Sequence, residues 1–157
     1  MYKMISLLWI CIIGSTAVSC KKGGTTIVAE TLAIKVDTIA AGDSIPEEVE
    51  GAGCIYYATK HKLVNEVRPT DEIFISGEPY AVMKLDGRME LLELKEINKN
   101  LTKKLYRNKQ YKVLVHITKE TPWPDEETGA VLHEGTITVT DLKGRKVTVK
   151  CDGMCGC

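Results

Sequence analysis

Residues 80–94 read YAVMKLDGRMELLEL, two apolar runs with Asp86-Gly87 between them. A two-residue hairpin loop favours a type I′ turn, in which both central residues need positive φ, and Asp-Gly is one of the few pairs that accept this. The stretch therefore predicts an antiparallel hairpin. An isolated hairpin is marginal in water, so the chain must supply further strands to cover its apolar face.

Other segments can supply them. Residues 31–37 (TLAIKVD) alternate Leu32, Ile34 and Val36 against Ala33, Lys35 and Asp37, the period of a half-buried strand. Residues 54–58 (CIYYA) and 72–76 (EIFIS) are rich in strand formers. Tyr111, Val113, Val115 and Ile117 form one face of 111–118, and Thr121-Pro122-Trp123-Pro124-Asp125 is expected to break that strand. Residues 135–140 and 146–151 make a second hairpin across 141–144, with Ile137, Val139, Val147, Val149 and Cys151 on one side. The stretch 43–53, with Pro46, three glutamates and two glycines, reads as a loop. One segment points elsewhere: Leu94, Ile97, Leu101 and Leu105 are spaced 3, 4 and 4, which predicts a short helix within 91–105. The expected fold class is mainly β, a small antiparallel barrel or sandwich of seven or eight strands with at most one short helix. Alternating helices long enough for a parallel α/β sheet are missing from the pattern.

The first twenty residues, MYKMISLLWICIIGSTAVSC, set the compartment. Lys3 precedes a largely apolar run from Ile5 to Val18. That run is shorter than the about 20 residues a membrane-spanning helix needs, and it has the length of a signal-peptide core. Ala17 and Ser19 are the small residues a signal peptidase requires, so cleavage is expected after Ser19 with Cys20 as the new first residue. Ala17-Val18-Ser19-Cys20 resembles the lipobox of bacterial lipoproteins. That resemblance implies acyl chains on Cys20, a lipid bilayer as the first partner, and, since no Asp follows at +2, the outer membrane facing the periplasm. The expected organisation is a signal peptide over 1–19, a lipidated cysteine and tether over 20–29, and a β domain over 30–157.

Charge excludes one class of partner. The chain carries 21 basic and 21 acidic residues, and the basic stretch from Lys99 to Lys112 reads as a solvated face. No nucleic-acid partner is expected.

Cysteine chemistry is the strongest remaining signal. After the leader five cysteines remain: Cys20, Cys54, Cys151, Cys155 and Cys157. Lipidation of Cys20 leaves four, enough for two disulfides. A bridge between Cys155 and Cys157 is strained by its single intervening residue. The expected pairing joins Cys54 to Cys155 or Cys157 and Cys151 to the other. The alternative is metal handling by Cys151, Cys155 and Cys157, either as a zinc site completed by Cys54 and one of His61, His116 or His133, or as a copper(I) site. An exporting compartment drives thiols to disulfides and so favours the bridges.

Other candidates have plain readings. His133-Glu134 lacks the second histidine of a zinc-protease helix and reads as strand surface. His116 reads as solvent-exposed, and Asp125-Glu126-Glu127 as a solvated loop. Trp123, between two prolines, either anchors a partner or closes one end of a barrel. No Ser-His-Asp order, phosphate loop or dinucleotide fingerprint occurs, so neither an enzyme nor a cofactor is expected. AVMKLDGRMELL and the terminal cysteine cluster together resemble the small β-barrel lipoproteins of the envelope, including the lysozyme-inhibitor type, although the inhibitor loop motif is absent. The resemblance implies a non-enzymatic domain that binds or inhibits an envelope protein.

Overall fold

Nine strands appear in a computed structural model of the protein, which describes residues 33–49, 51, 53–58, 71–123 and 129–156. They are β1 (Val36–Asp37), β2 (Gly53–Ala58), β3 (Glu72–Ser76), β4 (Tyr80–Leu85), β5 (Arg88–Ile97), β6 (Lys103–Arg107), β7 (Tyr111–Pro122), β8 (Val131–Asp141) and β9 (Lys146–Gly156). From β2 to β9 every strand pairs antiparallel with the next in sequence. The last then pairs with the first, β9 with β2, and closes an eight-stranded up-and-down barrel. Closure removes the sheet edges that would otherwise be open to other chains.

The Asp86-Gly87 hairpin forms as its sequence requires. Asp86 has φ 49° and Gly87 φ 78°, and Leu85 pairs with Arg88 across the turn. The second hairpin runs from Thr140↔Lys146 to Val131↔Cys155, with Ile137 and Val139 buried on the barrel's inner face.

The interior is solid. Eight strands leave a lumen just wide enough for side chains to fill or for one small ligand. Here Tyr56, Phe74, Met83, Leu92, Tyr106, Val113, Ile137 and Val139 fill it, none more than 2% exposed. Phe74 on β3 meets Tyr106 on β6 edge-to-face at 5.3 Å, and Tyr56 on β2 in the same way at 5.8 Å. Such pairs add about 0.5–1.5 kcal/mol each beyond their buried area.

Strand β3 is buried on both faces, Ile73 to Ser76 without interruption. Its inner face belongs to the lumen. Over its outer face the N-terminal segment lays Ile39 and Val49, which pack with Ile75 and Val82 in a second apolar cluster. A 3-10 turn over Glu47–Val49 presents Val49. The segment is fastened to the hairpin turn: Lys35 N–H donates to Asp86 Oδ1 at 2.9 Å, Gly87 N–H donates to Asp37 Oδ2 at 2.8 Å, and Lys84 Nζ meets Asp43 at 2.8 Å.

Three expectations are corrected. Of the strand expected at 31–37, the described residues 33–37 form only Val36–Asp37, because β3 already pairs with Ala81–Met83 of β4 and leaves β1 only Lys84 and Leu85; Thr31 and Leu32 lie outside the described residues. The helix expected within 91–105 is the β5–β6 hairpin. Its supposed stripe is not one face: Leu105 is buried, while Ile97 is 40% and Leu101 64% exposed. Asn98 makes the turn instead, accepting from Lys103 N–H and donating to Thr102 Oγ1, with Leu101 at φ 57°. Strand β7 does not break before Pro122 but runs to it, pairing Pro122 with Val131; as the last strand residue, proline costs the ladder little.

Candidate functional site

One row of directly opposed residues crosses four strands near one end of the barrel. Tyr56 faces Gly153, Gly153 faces His133, and His133 faces Glu120. Gly153 is the reason the row works. A Cβ there would lie 2.5 Å from the Tyr56 ring, so only glycine lets that ring lie flat across β9 toward β8. Glu120 owes its place to a β-bulge. Ile117 opposes Gly135 and Lys119 opposes Glu134, so one extra residue, Thr118, shifts the alternation of β7. Without the bulge Glu120 would point away from the His133 row; with it, Glu120 joins the row at the barrel rim.

The side chains form a chain of contacts. Glu120 Oε2 lies 3.1 Å from His133 Nε2, and Tyr56 Oη 3.1 Å from His133 Nδ1. A carboxylate only accepts, so Nε2 carries the hydrogen facing Glu120, and in that tautomer Nδ1 accepts from the phenol. Burial, the largest cause, pushes the Tyr56 phenol well above its ordinary range, with Cys151, Tyr106 and Glu120 adding to it, so Tyr56 stays a donor. His133 is 7% exposed, while the Glu120 side chain is 63% exposed. The row thus runs from solvent into the core.

The next row holds the disulfide. Cys54 on β2 opposes Cys155 on β9 and bonds to it, with Cα atoms 4.1 Å apart and a sequence separation of 101. It lies across the seam that closes the barrel. Cys155 Sγ is 3.2 Å from His133 Nδ1. Bonded in a disulfide, that sulfur has no proton to give and contributes contact alone. A depression of about 390 Å³ is lined by Cys54 and Cys155 together with four glycines, Ser76, Glu78 and Lys104.

Of the expected bridges, the one from Cys54 into the tail is present, to Cys155. The expectation for Cys151 is corrected: it is a free, buried thiol. It faces Ala58 and Gly135 inside the barrel, two inward positions before Cys155, about 13 Å along an extended strand. Cys157 lies outside the described residues. Burial pushes the Cys151 thiol up to about 12, with Asp152 adding to it. Of the metal set Cys151, Cys155 and Cys157, the two described members are held apart, Cys155 in the disulfide and Cys151 as a free thiol. The set that is brought together is Cys54, His133 and Cys155, whose ligand atoms all lie within 4.8 Å of one another.

His133 is corrected from strand surface to buried centre. A signal for it existed: it sits two and four residues before Gly135 and Ile137, on the inward parity of β8. His116, on the opposite parity of β7, is half-buried. Trp123 is half-buried just past β7, where its N–H donates to Ala130 C=O at 2.9 Å. Cys20, His61 and Asp125-Glu126-Glu127 lie outside the described residues. Comparison with protein-family models, with curated proteins and with solved structures finds no match to this chain.

Proposed function

We propose that this protein is a membrane-anchored envelope lipoprotein whose barrel acts, without catalysis, as a binding module that uses its outer surface. The observation that carries this reading is the filled lumen. With Phe74 touching both Tyr56 and Tyr106 across the interior, the described barrel has no room for an internal cargo, and recognition falls to the outside. The Cys54–Cys155 bond supports an oxidising compartment, in keeping with the leader that ends at Cys20. Cys151, the free thiol of the described residues, is held neutral inside the core and is no nucleophile.

The outer surface offers a depression of about 420 Å³ beside β5, lined by Tyr80, Leu91, Lys95, Arg107 and Lys109 among others. The floor is aromatic and aliphatic, and the rim carries Lys95 paired with Glu93 beside Arg107 and Lys109, a net cationic edge that suits a protein side chain or loop carrying acidic residues. Two measurements test the proposal. Cys20→Ser should move the protein from the membrane to the soluble fraction after a carbonate wash; persistence in the membrane would rule out the lipid anchor. Photo-crosslinkers at Lys95 and Lys109 should capture one discrete envelope protein that crosslinkers at Lys146 and Lys150 do not. An identical pattern from both pairs, or none, would rule out this surface as the binding face.

A further inference from the structure

The disulfide and its histidine form a set that the binding reading does not use. Two sulfurs and one imidazole nitrogen converge within 4.8 Å. Thiolate and imidazole are the donors that zinc and copper(I) select over harder ions. A tetrahedral zinc ion with Zn–S bonds of about 2.3 Å and a Zn–N bond of about 2.0 Å spaces its donors roughly 3.5–3.8 Å apart, so the sulfurs, 2.02 Å apart in the disulfide, must separate before they can share an ion.

The surroundings of His133 add a second, independent observation. A histidine that binds metal through one ring nitrogen almost always gives its other N–H to a carboxylate or carbonyl, which fixes the tautomer and orients the ring. Glu120 does this at Nε2, 3.1 Å away, and leaves Nδ1 facing the sulfur. The bulge at Thr118 places Glu120 in that role. Access exists as well, through the depression that Cys54 and Cys155 both line.

We propose that Cys54, Cys155 and His133 form a redox-gated site for a thiophilic metal ion, closed while the sulfurs are bonded to each other and open when a protein dithiol reduces them. In the opening step a thiolate of the dithiol attacks one sulfur of the Cys54–Cys155 bond, and the dithiol's second thiol resolves the mixed disulfide. The partner leaves as a disulfide, oxidised by two electrons, and Cys54 and Cys155 each gain a hydrogen. Metal binding then displaces both thiol protons to solvent. Two thiolates neutralise a divalent ion, His133 Nδ1 gives up its contact with Tyr56 to become the third ligand, and the fourth position faces the depression. A side-chain rotation at Cys54 and Cys155 parts the sulfurs, while their strands stay paired on both sides of the row, Gly53 with Gly156 and Tyr56 with Gly153. The site is independent of how the chain is anchored.

The test uses the full-length protein in detergent, oxidised or reduced anaerobically with a phosphine. Zn²⁺ alone and Cu⁺ alone are titrated in competition with a chromophoric chelator, and Co²⁺ serves as the spectroscopic probe. The reduced protein should bind one equivalent, with the thiolate-to-cobalt charge-transfer band of a tetrahedral site, and the oxidised protein none. Tighter binding in one of the two arms decides between a divalent and a cuprous site. His133→Ala should weaken binding at least tenfold. Glu120→Gln, at the exposed rim, should weaken it about 10- to 100-fold at unchanged stoichiometry. Cys151→Ser and Cys157→Ser should retain the single equivalent. The proposal is overturned if the reduced protein binds neither ion, if the oxidised protein binds equally well, or if binding survives Cys54→Ser and is lost with Cys157→Ser. It is also overturned if reduction unfolds the chain and added metal does not restore its strand circular dichroism.

Discussion

The Tyr56 ring lies over the bare backbone of Gly153, directly opposite it across the β2–β9 seam, and reaches His133 one strand further on. A phenol from one end of the sequence and an imidazole from the other meet because the residue between them has no side chain.

Gly153→Ala tests that relationship. The added carbon would stand 2.5 Å from an aromatic ring that is 2% exposed, so the ring must move. Overpacking of this kind costs about 1–3 kcal/mol. Urea unfolding should show the loss, and the imidazole NMR signals of His133 should shift as Tyr56 is displaced. A variant with unchanged stability and unchanged His133 signals would mean the ring is not confined there.

Gly87→Val isolates the backbone of the first hairpin. A side chain at Gly87 would meet nothing within 4 Å, yet φ is 78°, where a β-branched residue is strongly disfavoured. The expected cost is about 1–3 kcal/mol from conformation alone. Gly87→Asn should recover most of it, because asparagine tolerates that region; equal losses in the two variants would contradict this account.

Loss of the seam bond should be larger. Cys54 and Cys155 enclose nearly the whole domain, and removing a native disulfide from a small secreted domain typically costs about 2–5 kcal/mol. Cys54→Ser and Cys155→Ser should each lower the urea midpoint, and the double variant should lose no more than the larger single loss, since either change breaks the same bond. Additive losses would show that the sulfurs act separately.

Cys151 and Tyr106 give the alkaline limit. Burial raises the Cys151 thiol from about 9 to about 12 and the Tyr106 phenol from about 10 to about 12. Folded and unfolded chains are equally protonated below pH 9, so the full contribution is present there. Above it the unfolded chain releases these protons first, and stability falls as the pH rises from about 9 toward 12. Urea midpoints at pH 8 and pH 10.5 should differ, and the difference should shrink in Cys151→Ala. In a background with Cys11, Cys20 and Cys157 each changed to serine, the folded protein should expose no thiol to a disulfide reagent at pH 8, then one on unfolding.

Much of the barrel is written in local patterns. Asp86-Gly87, the alternation of Tyr111 to Ile117 and the inward parity of Cys151 each specify their strand without reference to the rest. The segment from Leu91 to Leu105 misleads because a register shift between Leu94 and Glu96 and the Asn98 turn interrupt the period of two. The leucines then fall at helical spacing by coincidence. The site was less legible for a similar reason. Parity could have placed His133 inside, but Glu120 joins it through the bulge at Thr118, and nothing in the residues 117–120 announces an extra residue. The choice of Cys155 over Cys157 for Cys54 depends on the register of β9 against β2, which is a property of the closed barrel.

The meander carries one further consequence. Every pairing from β2 to β9 is between neighbours in sequence except the last, which joins Cys54 to a residue 101 positions away. Seven of the eight ladders can zip progressively as short loops close, whereas β2 must wait, bare along one side, for the final strand to be delivered. Until then the growing sheet presents two sticky margins to every other chain around it. A protein shortened by even its last dozen residues would therefore not fold into a weaker version of the same object; it would remain an open ribbon prone to joining its neighbours.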